Sequence, residues 1–310
     1  MDTMRGVETF VRAVELGSIA AAARRLGISA AAASQNIARL ETSLGARLLT
    51  RTTRSLALTD NGEVYFQRVK GLLNELELAK QAVSAIQGEV GGKLTIACSA
   101  AFSRHVLAPL IPGFRQRYPQ ISLELLATDR RVDHLKEGVD ISIRIRQQLQ
   151  DGLVARRIAT LPFVFCASPE YLQRAGYPET PQALLQHDCL MFRIPVDGHI
   201  FRWAFIRDGR RYEPDIKITA VSDDIDMLAR MAVAGAGITR LAAFVAEPYL
   251  AQGQLQQLFF AGHQPEVKVE AEPLEFYFCV ADRYAKTPKV AAFYDYLYEH
   301  LPDKWNIKAG

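Results

Sequence analysis

The sequence predicts an N-terminal winged helix-turn-helix (α with a small β wing), a long linker helix, and a C-terminal α/β region. Three observations lead there. Apolar residues in 1–59 recur at helical spacing and are punctuated by Gly17, Gly27 and Gly45. A heptad seam then runs from Tyr65 to Ile86. From Lys93 onward strand-like and helix-like segments alternate. At 310 residues the chain has room for two or three modules, each with its own core.

Val7, Phe10, Val11 and Val14 mark the buried face of a first helix, which Gly17 ends. Ser18 caps a second helix over 19–26, and Gly27 breaks it. Ser29 caps a third, whose apolar face is Ala33, Ile37, Leu40 and Leu44 before Gly45. Ala23 and Ala33 are small where two helices would cross closely. Two short helices joined by a glycine turn make a helix-turn-helix candidate, with a plain helical hairpin as the alternative. The next residues favour the former. Leu48-Leu49 and Leu56-Ala57-Leu58 flank Arg51-Thr52-Thr53-Arg54-Ser55, a hairpin with a basic, hydroxyl-rich tip suited to phosphates and the minor groove. Charge agrees: residues 1–59 hold eight arginines and four acids in a chain of net charge +3, so a polyanion would bind at one end.

Thr59 can cap the linker helix, with Asp60 and Glu63 favourably near its N-terminus. Tyr65, Val69, Leu72, Leu76, Ala79, Val83 and Ile86 then alternate steps of four and three, a coiled-coil seam. Gly88, Gly91 and Gly92 end it. Such a seam packs either on the chain's own C-terminal region or on a second copy.

Beyond it, residues 94–97 read as a strand and 102–118 as a helix kinked near Pro109 and Pro112. A strand at 121–127, a short helix at 132–136 and a strand at 139–145 follow. Further strands at 163–167, 189–192, 217–221 and 275–281 alternate with helices opening at Ser168-Pro169 and Thr180-Pro181. The rhythm predicts largely parallel sheets. Gly235-Ala236-Gly237 reads as a helix-ending turn before a strand at 238–241, because the third glycine of a dinucleotide loop is missing. The histidines (105, 134, 187, 199, 263, 300) and cysteines (98, 166, 189, 279) are too scattered for a metal site or a disulfide framework. No nucleophile elbow or phosphate loop is present. The reading is therefore no metal, no cofactor and no enzyme. Asp2, Glu8 and Glu15 interrupt any export signal, and the most apolar later stretch, 231–246, contains Arg240 and is too short for a bilayer. A cytoplasmic protein without membrane contact is expected.

Two sets of motifs make the sequence recognisable. The first is Gly17-Ser18-Ile19-Ala20-Ala21-Ala22-Ala23-Arg24-Arg25-Leu26-Gly27-Ile28-Ser29, Arg39-Leu40-Glu41, Leu44-Gly45, Arg47-Leu48-Leu49, Arg51-Thr52-Thr53-Arg54 and Leu58-Thr59. The second is Leu107-Ala108-Pro109-Leu110, Arg117-Tyr118-Pro119, Gly138-Val139-Asp140-Ile141-Ser142-Ile143-Arg144, His187-Asp188-Cys189-Leu190 and Gly235-Ala236-Gly237-Ile238. Together they resemble LysR-type transcriptional regulators over nearly the whole chain. The resemblance implies that the third helix reads duplex DNA. Ser29 would open it, Ala30, Ala31, Ser34 and Gln35 would face base edges, and Asn36 and Arg39 would lie near phosphates. This chain has Ala30-Ala31 where the family often has Gln-Pro, and Gln35 where a basic residue is common. Gln35 is then the best polar reader, suited to adenine, and shape readout by the wing residues Arg51, Thr52, Thr53 and Arg54 gains weight.

The resemblance further implies self-pairing through Val69, Leu72, Leu76, Ala79, Val83 and Ile86, as a dimer or tetramer on a two-fold, interrupted operator. RNA polymerase would be a further partner. The expected domains are 1–59 for DNA binding, 60–90 for the linker and 91–310 for the effector. The last resembles periplasmic binding proteins: two Rossmann-like lobes, lobe I about 93–160 and 265–300, lobe II about 161–264. Ligands of such folds sit where strand ends meet helix N-termini. That makes Ser99, Phe102, Ser103, Thr128, Arg146, Phe201, Trp203, Ser222 and Asp223 the effector candidates, with Arg146 suited to an organic anion. The competing structural readings are a helix cap for Ser99 and a local ion pair for Arg146.

Overall fold

The computed structural model describes residues 2–51, 56–86, 90–134, 136–259, 269–281 and 287–305. The chain divides into two compact units, Met1–Gly88 with Leu135–Gly138, and Glu89–His134 with Val139–Gly310.

The first unit contains α1 (Asp2–Glu15), α2 (Ile19–Leu26), α3 (Ala30–Leu44), β1 (Leu49–Arg51), β2 (Leu56–Leu58) and α4 (Asp60–Ile86). The expected caps form: Ser18 Oγ accepts from Ala21 N at 3.4 Å and Ser29 Oγ from Ala32 N at 3.1 Å. Gly27 and Gly45 end their helices in the left-handed conformation. Phe10, Ala22, Ile37, Leu40 and Leu48 are buried in one core. The wing is a β1–β2 hairpin in the register Leu49↔Leu58, Arg51↔Leu56. Its base is pinned by Glu41, whose Oε1 accepts from Leu48 N at 2.8 Å and Leu49 N at 3.1 Å.

Thr59 Oγ1 accepts from Gly62 N at 3.0 Å, capping α4, and donates to the Arg47 carbonyl at 2.7 Å. Gly62 sits so tightly on the wing base that a Cβ there would lie 2.0 Å from the Leu48 oxygen. Tyr65 and Phe66 close the core over Phe10, with ring centres 5.9 and 6.3 Å away. Tyr65 and Val69, the first two seam residues, are thus half-buried on the chain's own N-terminal core. Leu72 and Leu76 are 56% and 42% exposed, whereas the side chains of Ala79, Val83 and Ile86 lie outside the described residues.

The second unit runs through β3 (Gly92–Cys98), α5 (Ala100–Phe102), α6 (Ala108–Arg117), β4 (Ile121–Ala127), β5 (Ile141–Ile145), β6 (Leu153–Leu161), β7 (Phe163–Ala167), α7 (Pro169–Ala175), β8 (Cys189–Phe192), β9 (Phe205–Arg207) and β10 (Arg210–Tyr212). It continues with β11 (Ile218–Ser222), α8 (Ile225–Val233), β12 (Ile238–Ala242), α9 (Ala243–Ala251), β13 (Gln256–Leu258), β14 (Val269–Ala271), β15 (Leu274–Ala281) and α10 (Pro288–His300). Two five-stranded sheets result, β4-β3-β5-β15-β6 in lobe I and β11-β8-β12-β7-β13 in lobe II, with a small β10-β9-β14 sheet besides.

Three expectations need correction. The sheets are mixed: β15 is antiparallel to β5 and β6, and β7 to β12 and β13. The cause is that the chain crosses between lobes twice, through Pro162 outward and through Glu272-Pro273 on return, so each sheet receives a strand from the opposite direction. The crossings lie side by side, since Leu274 pairs with Leu161. Secondly, no helix forms at 132–134 or at 136. Val132 and Val139 insert beside Ala97, and His134 is hydrogen-bonded to Ser142 Oγ at 2.9 Å, contacts that a helical turn would pull apart. Thirdly, α5 joins α6 through a π-helical turn, Ser103–Leu107, with Ala108 N reaching the Ser103 carbonyl. Pro109 cannot donate to the His105 carbonyl, so the chain widens there. From this turn Arg104 and His105 reach Asp226 at the start of α8, the His105–Asp226 contact being 2.7 Å.

Candidate functional site

In the first unit α3 presents one solvent face. Ala30, Ala31, Gln35 and Arg39 are exposed along it and Ser34 is half-buried, with Ser29 at its N-cap. Positions 30, 31, 34, 35 and 39 fall together because of the 3.6-residue period. Asn36 turns inward, donating to Thr9 Oγ1 at 3.3 Å, so it ties α3 to α1. Arg24 and Arg25 are exposed at the end of α2. Arg51 belongs to β1, but its side chain, together with Thr52, Thr53 and Arg54, lies outside the described residues. The face beside the hairpin thus combines two small alanines with Ser34, Gln35 and Arg39, a slim surface with few groups able to hydrogen-bond a base edge.

In the second unit the C-terminal edge of the parallel strands β3, β4 and β5 gathers polar groups. β5 alternates: Ile141, Ile143 and Ile145 join the main core, while Ser142 and Arg144 take the opposite face. Arg144 is 2% exposed; its Nη1 donates to the Thr128 carbonyl just past β4, and Nε and Nη2 are buried without a partner. Ser99 Oγ, Ser103 Oγ and Gln148 Oε1 are equally unpartnered among the described residues. Ser99 makes no side-chain cap to the helix that follows it. Asp129 serves that helix instead, its Oδ2 accepting from Ala100 N at 3.1 Å and its Oδ1 from Gln148 Nε2 at 3.1 Å. Burial draws the Arg144 guanidinium below its usual range and pushes the Cys98 thiol up to about 12, so Cys98 is a neutral wall. Each buried unsatisfied group costs about 1–3 kcal/mol. Several such groups, both donors and acceptors, stand together at a strand-end edge, the kind of place where α/β folds take ligands.

The other candidates are distributed differently. Thr128 belongs to the cluster through its carbonyl, and its Oγ1 accepts from Arg130 N. Phe102 is fully buried between Phe244 and Phe276, at 5.9 and 4.6 Å, so it backs the cluster rather than lining it. Arg146, just past the end of β5 and two residues beyond the buried Arg144, projects into solvent and pairs with Glu275 at 3.4 Å. Glu275 is half-buried, which raises its pKa, but hydrogen bonds from Arg157 and Tyr277 hold the carboxyl below its ordinary range. Trp203 lies in the lobe II core, 5.1 Å from Phe165, and is 2% exposed; its bulk is spent on packing the small sheet. Phe201 is half-buried against Phe163. Ser222 Oγ accepts from Asp224 N, and Asp223 is exposed. Asp224 caps α8, accepting from Asp226 N and Met227 N. Sequence reasoning missed Arg144, Gln148 and Asp129. The strict alternation of Ile141-Ser142-Ile143-Arg144-Ile145 was the available signal, since it puts Arg144 and Ser142 on one face.

Among the described residues no group of His, Cys, Asp and Glu could hold a metal, and no helix is long and apolar enough to cross a membrane. A winged helix-turn-helix followed by a two-lobed α/β fold with a polar strand-end cluster defines a DNA-binding transcription regulator with an effector-binding domain. Residues 4–63 match the bacterial regulatory helix-turn-helix protein, lysR family, and residues 87–302 match the LysR substrate binding domain. The chain belongs to the LysR family. It is 34% identical over 293 residues to the HTH-type transcriptional regulator CrgA of Neisseria meningitidis serogroup B, covering 94% of this chain and 95% of that one. It is 33% identical over 238 residues to the HTH-type transcriptional activator AaeR of Escherichia coli, covering 77% and 76%. The CrgA structure aligns with a TM-score of 0.56 at 31% identity over 95% of this chain and 97% of that one. A full-length OxyR variant from Pseudomonas aeruginosa aligns with a TM-score of 0.68 at 14% identity, over 99% and 98%, which speaks for the fold.

Proposed function

We propose that this regulator binds a two-fold, interrupted DNA operator as a dimer or tetramer and answers a small organic anion held between its lobes. It acts by binding, without catalysis. Residues 1–59 read DNA, 60–90 pair two copies, and the remainder carries the effector site. The observation that supports this most directly is the solvent face of α3, with Ala30, Ala31, Gln35 and Arg39 exposed together beside the wing. The exposed Leu72 and Leu76 support pairing through α4, since two such leucines on one helix stripe want an apolar partner. The unpartnered donors of Arg144 and the hydroxyls of Ser99 and Ser103 support an anionic, oxygen-bearing effector.

Effector would favour one arrangement of the DNA-bound oligomer through its stronger affinity for that arrangement. The test is a footprint on the promoter region adjoining the chain's own gene, repeated with a panel of metabolic acids and at rising salt. Two protected half-sites that shift with one acid, and affinity that falls steeply with salt, are expected. A purified protein that is monomeric and ignores every duplex at low salt would end the proposal.

A further inference from the structure

Lobe II buries an arginine of its own. Arg240 of β12 stands opposite Phe165 of β7, so its side chain shares the sheet face of Phe165 and Trp203, and it is 5% exposed. Its guanidinium carbon lies 4.0 Å from the Phe163 ring centre and 4.5 Å from that of Phe201. Those two rings meet at 74° with centres 5.7 Å apart, forming a corner in which the cation sits. Nη2 donates to the Phe201 carbonyl at 3.4 Å, and Nη1 is buried with no partner.

Among the described residues Arg240 forms no ion pair. The acids that attract it, Glu213 and Glu272, are both held by Arg211, at 2.8 and 3.0 Å. The two acids are thus shared through space with Arg211, and neither reaches the Arg240 guanidinium, whose Nη1 keeps no partner of its own. Burial draws the guanidinium down to about 9, which leaves it cationic at neutral pH. Ring faces are a weak substitute for a hydrogen-bonded anion, and a buried guanidinium with an unmet N–H is a costly group for a fold to hold. The position is also telling: β8, β11 and β12 run parallel toward one edge, and Ala243, just past β12, bonds to the Pro162 carbonyl in the crossing between lobes. Edges of this kind take ligands in α/β folds.

We propose that Arg240, held in the Phe163–Phe201 corner, anchors a small-carboxylate site in lobe II, with the carboxylate in the guanidinium plane at Nη1. This site is separate from the Arg144 cluster of lobe I. Phe201, the half-buried member of the corner, is the side by which the ligand enters.

Butyrate is the probe and 1-butanol its uncharged control, measured by calorimetry and thermal shift on the full chain without DNA. Wild type and Arg144→Met should bind butyrate, Arg240→Leu should lose at least about tenfold in affinity, Arg240→Lys should fall between, and butanol should shift nothing. If Arg240→Leu fails to fold, Arg240→Lys and wild-type crystals in bromide decide: an anomalous peak at Nη1, displaced by butyrate, is expected. Equal butyrate affinity in wild type and Arg240 variants, an unresponsive wild type, or no bromide peak at Nη1 overturns the proposal. Loss in Arg144→Met alone assigns the carboxylate to lobe I and also overturns it. No arm reads operator binding, so a failure here is distinct from a failure of the DNA-binding reading.

Discussion

Gly62→Ala separates two physical effects of opposite sign. Gly62 lies in the first turn of α4 with ordinary helical backbone, so propensity alone predicts that alanine stabilises by about 1 kcal/mol. The added Cβ, however, would stand 2.0 Å from the Leu48 oxygen and 3.0 Å from Leu58 Cδ2. The first of these atoms is backbone and cannot swing aside, so α4 must retreat from the wing by more than an ångström. That movement breaks or stretches Thr59 N to Leu48 O and Thr59 Oγ1 to Arg47 O, both at or below 3.0 Å now. Two hydrogen bonds at ~1 kcal/mol each and ~1–3 kcal/mol of overpacking outweigh the propensity gain, leaving a net loss of ~2–4 kcal/mol. Urea unfolding of the full chain, followed by far-ultraviolet circular dichroism, reads the N-terminal unit's transition, and gel shift at fixed salt reads the head's geometry. The transition should move to lower urea and operator affinity should fall, because the wing and the linker no longer share one base. A variant as stable as wild type, or more so, would refute the steric reasoning.

Four further outcomes follow from other parts of the fold. Leu76→Arg places a charge on the exposed α4 stripe and should give a monomer by analytical ultracentrifugation with greatly weakened operator binding; a fully dimeric, fully binding variant removes the pairing role. Arg144→Met exchanges an underpaired buried cation for an apolar side chain and should leave stability within about 1 kcal/mol of wild type or above it, while abolishing the ligand-dependent footprint; retained response sinks its role. Burial pushes the Asp226 carboxyl up, but hydrogen bonds from His105 and Arg104 hold it below its ordinary value, so its contribution is full above pH ~4 and is lost as acid takes the folded group through its own pKa. Asp226→Asn should accordingly flatten the fall of Tm in that acid window, and an unchanged slope contradicts the assignment. Arg54→Ala should alter the ranking of mutated operators by affinity, since shape readout in the wing is being removed; an unaltered ranking returns specificity to α3.

What could be read locally was read well. Ser18, Gly27, Ser29 and Gly45 punctuate α2 and α3 because caps and left-handed turns depend on a few adjacent residues. β7 and β8 were visible as short apolar runs. The misses share a non-local cause. The alternation of β5 puts Ser142 and Arg144 on one face, but whether that face is covered is not written in the neighbouring residues: the cover comes from Val132, Val139 and His134, and β5 ends at Ile145, which leaves Arg146 in solvent. β6 was hidden by Arg156 and Arg157, which suit a sheet edge better than a core. The β9–β10 hairpin did carry a signal, Asp208-Gly209, whose positive φ values of 50° and 71° are those of a tight primed turn.

The order of strands in lobe I has a consequence for biosynthesis. Its sheet reads β4-β3-β5-β15-β6, so the strand between β5 and β6 is made only after all of lobe II has been synthesised. During translation β6 has no neighbour on the emerging chain, and its apolar side must wait for β15 and for α10 behind it. All five strands of the lobe II sheet lie between Leu161 and Leu274, so that sheet can settle while its host is still a half-built template, and α9 gains contacts later, Phe244 with Phe276 and Trp305. A chaperone on the ribosome would therefore find lobe I exposed, and a nascent chain stalled just before β15 would hold a finished guest inside an unfinished house.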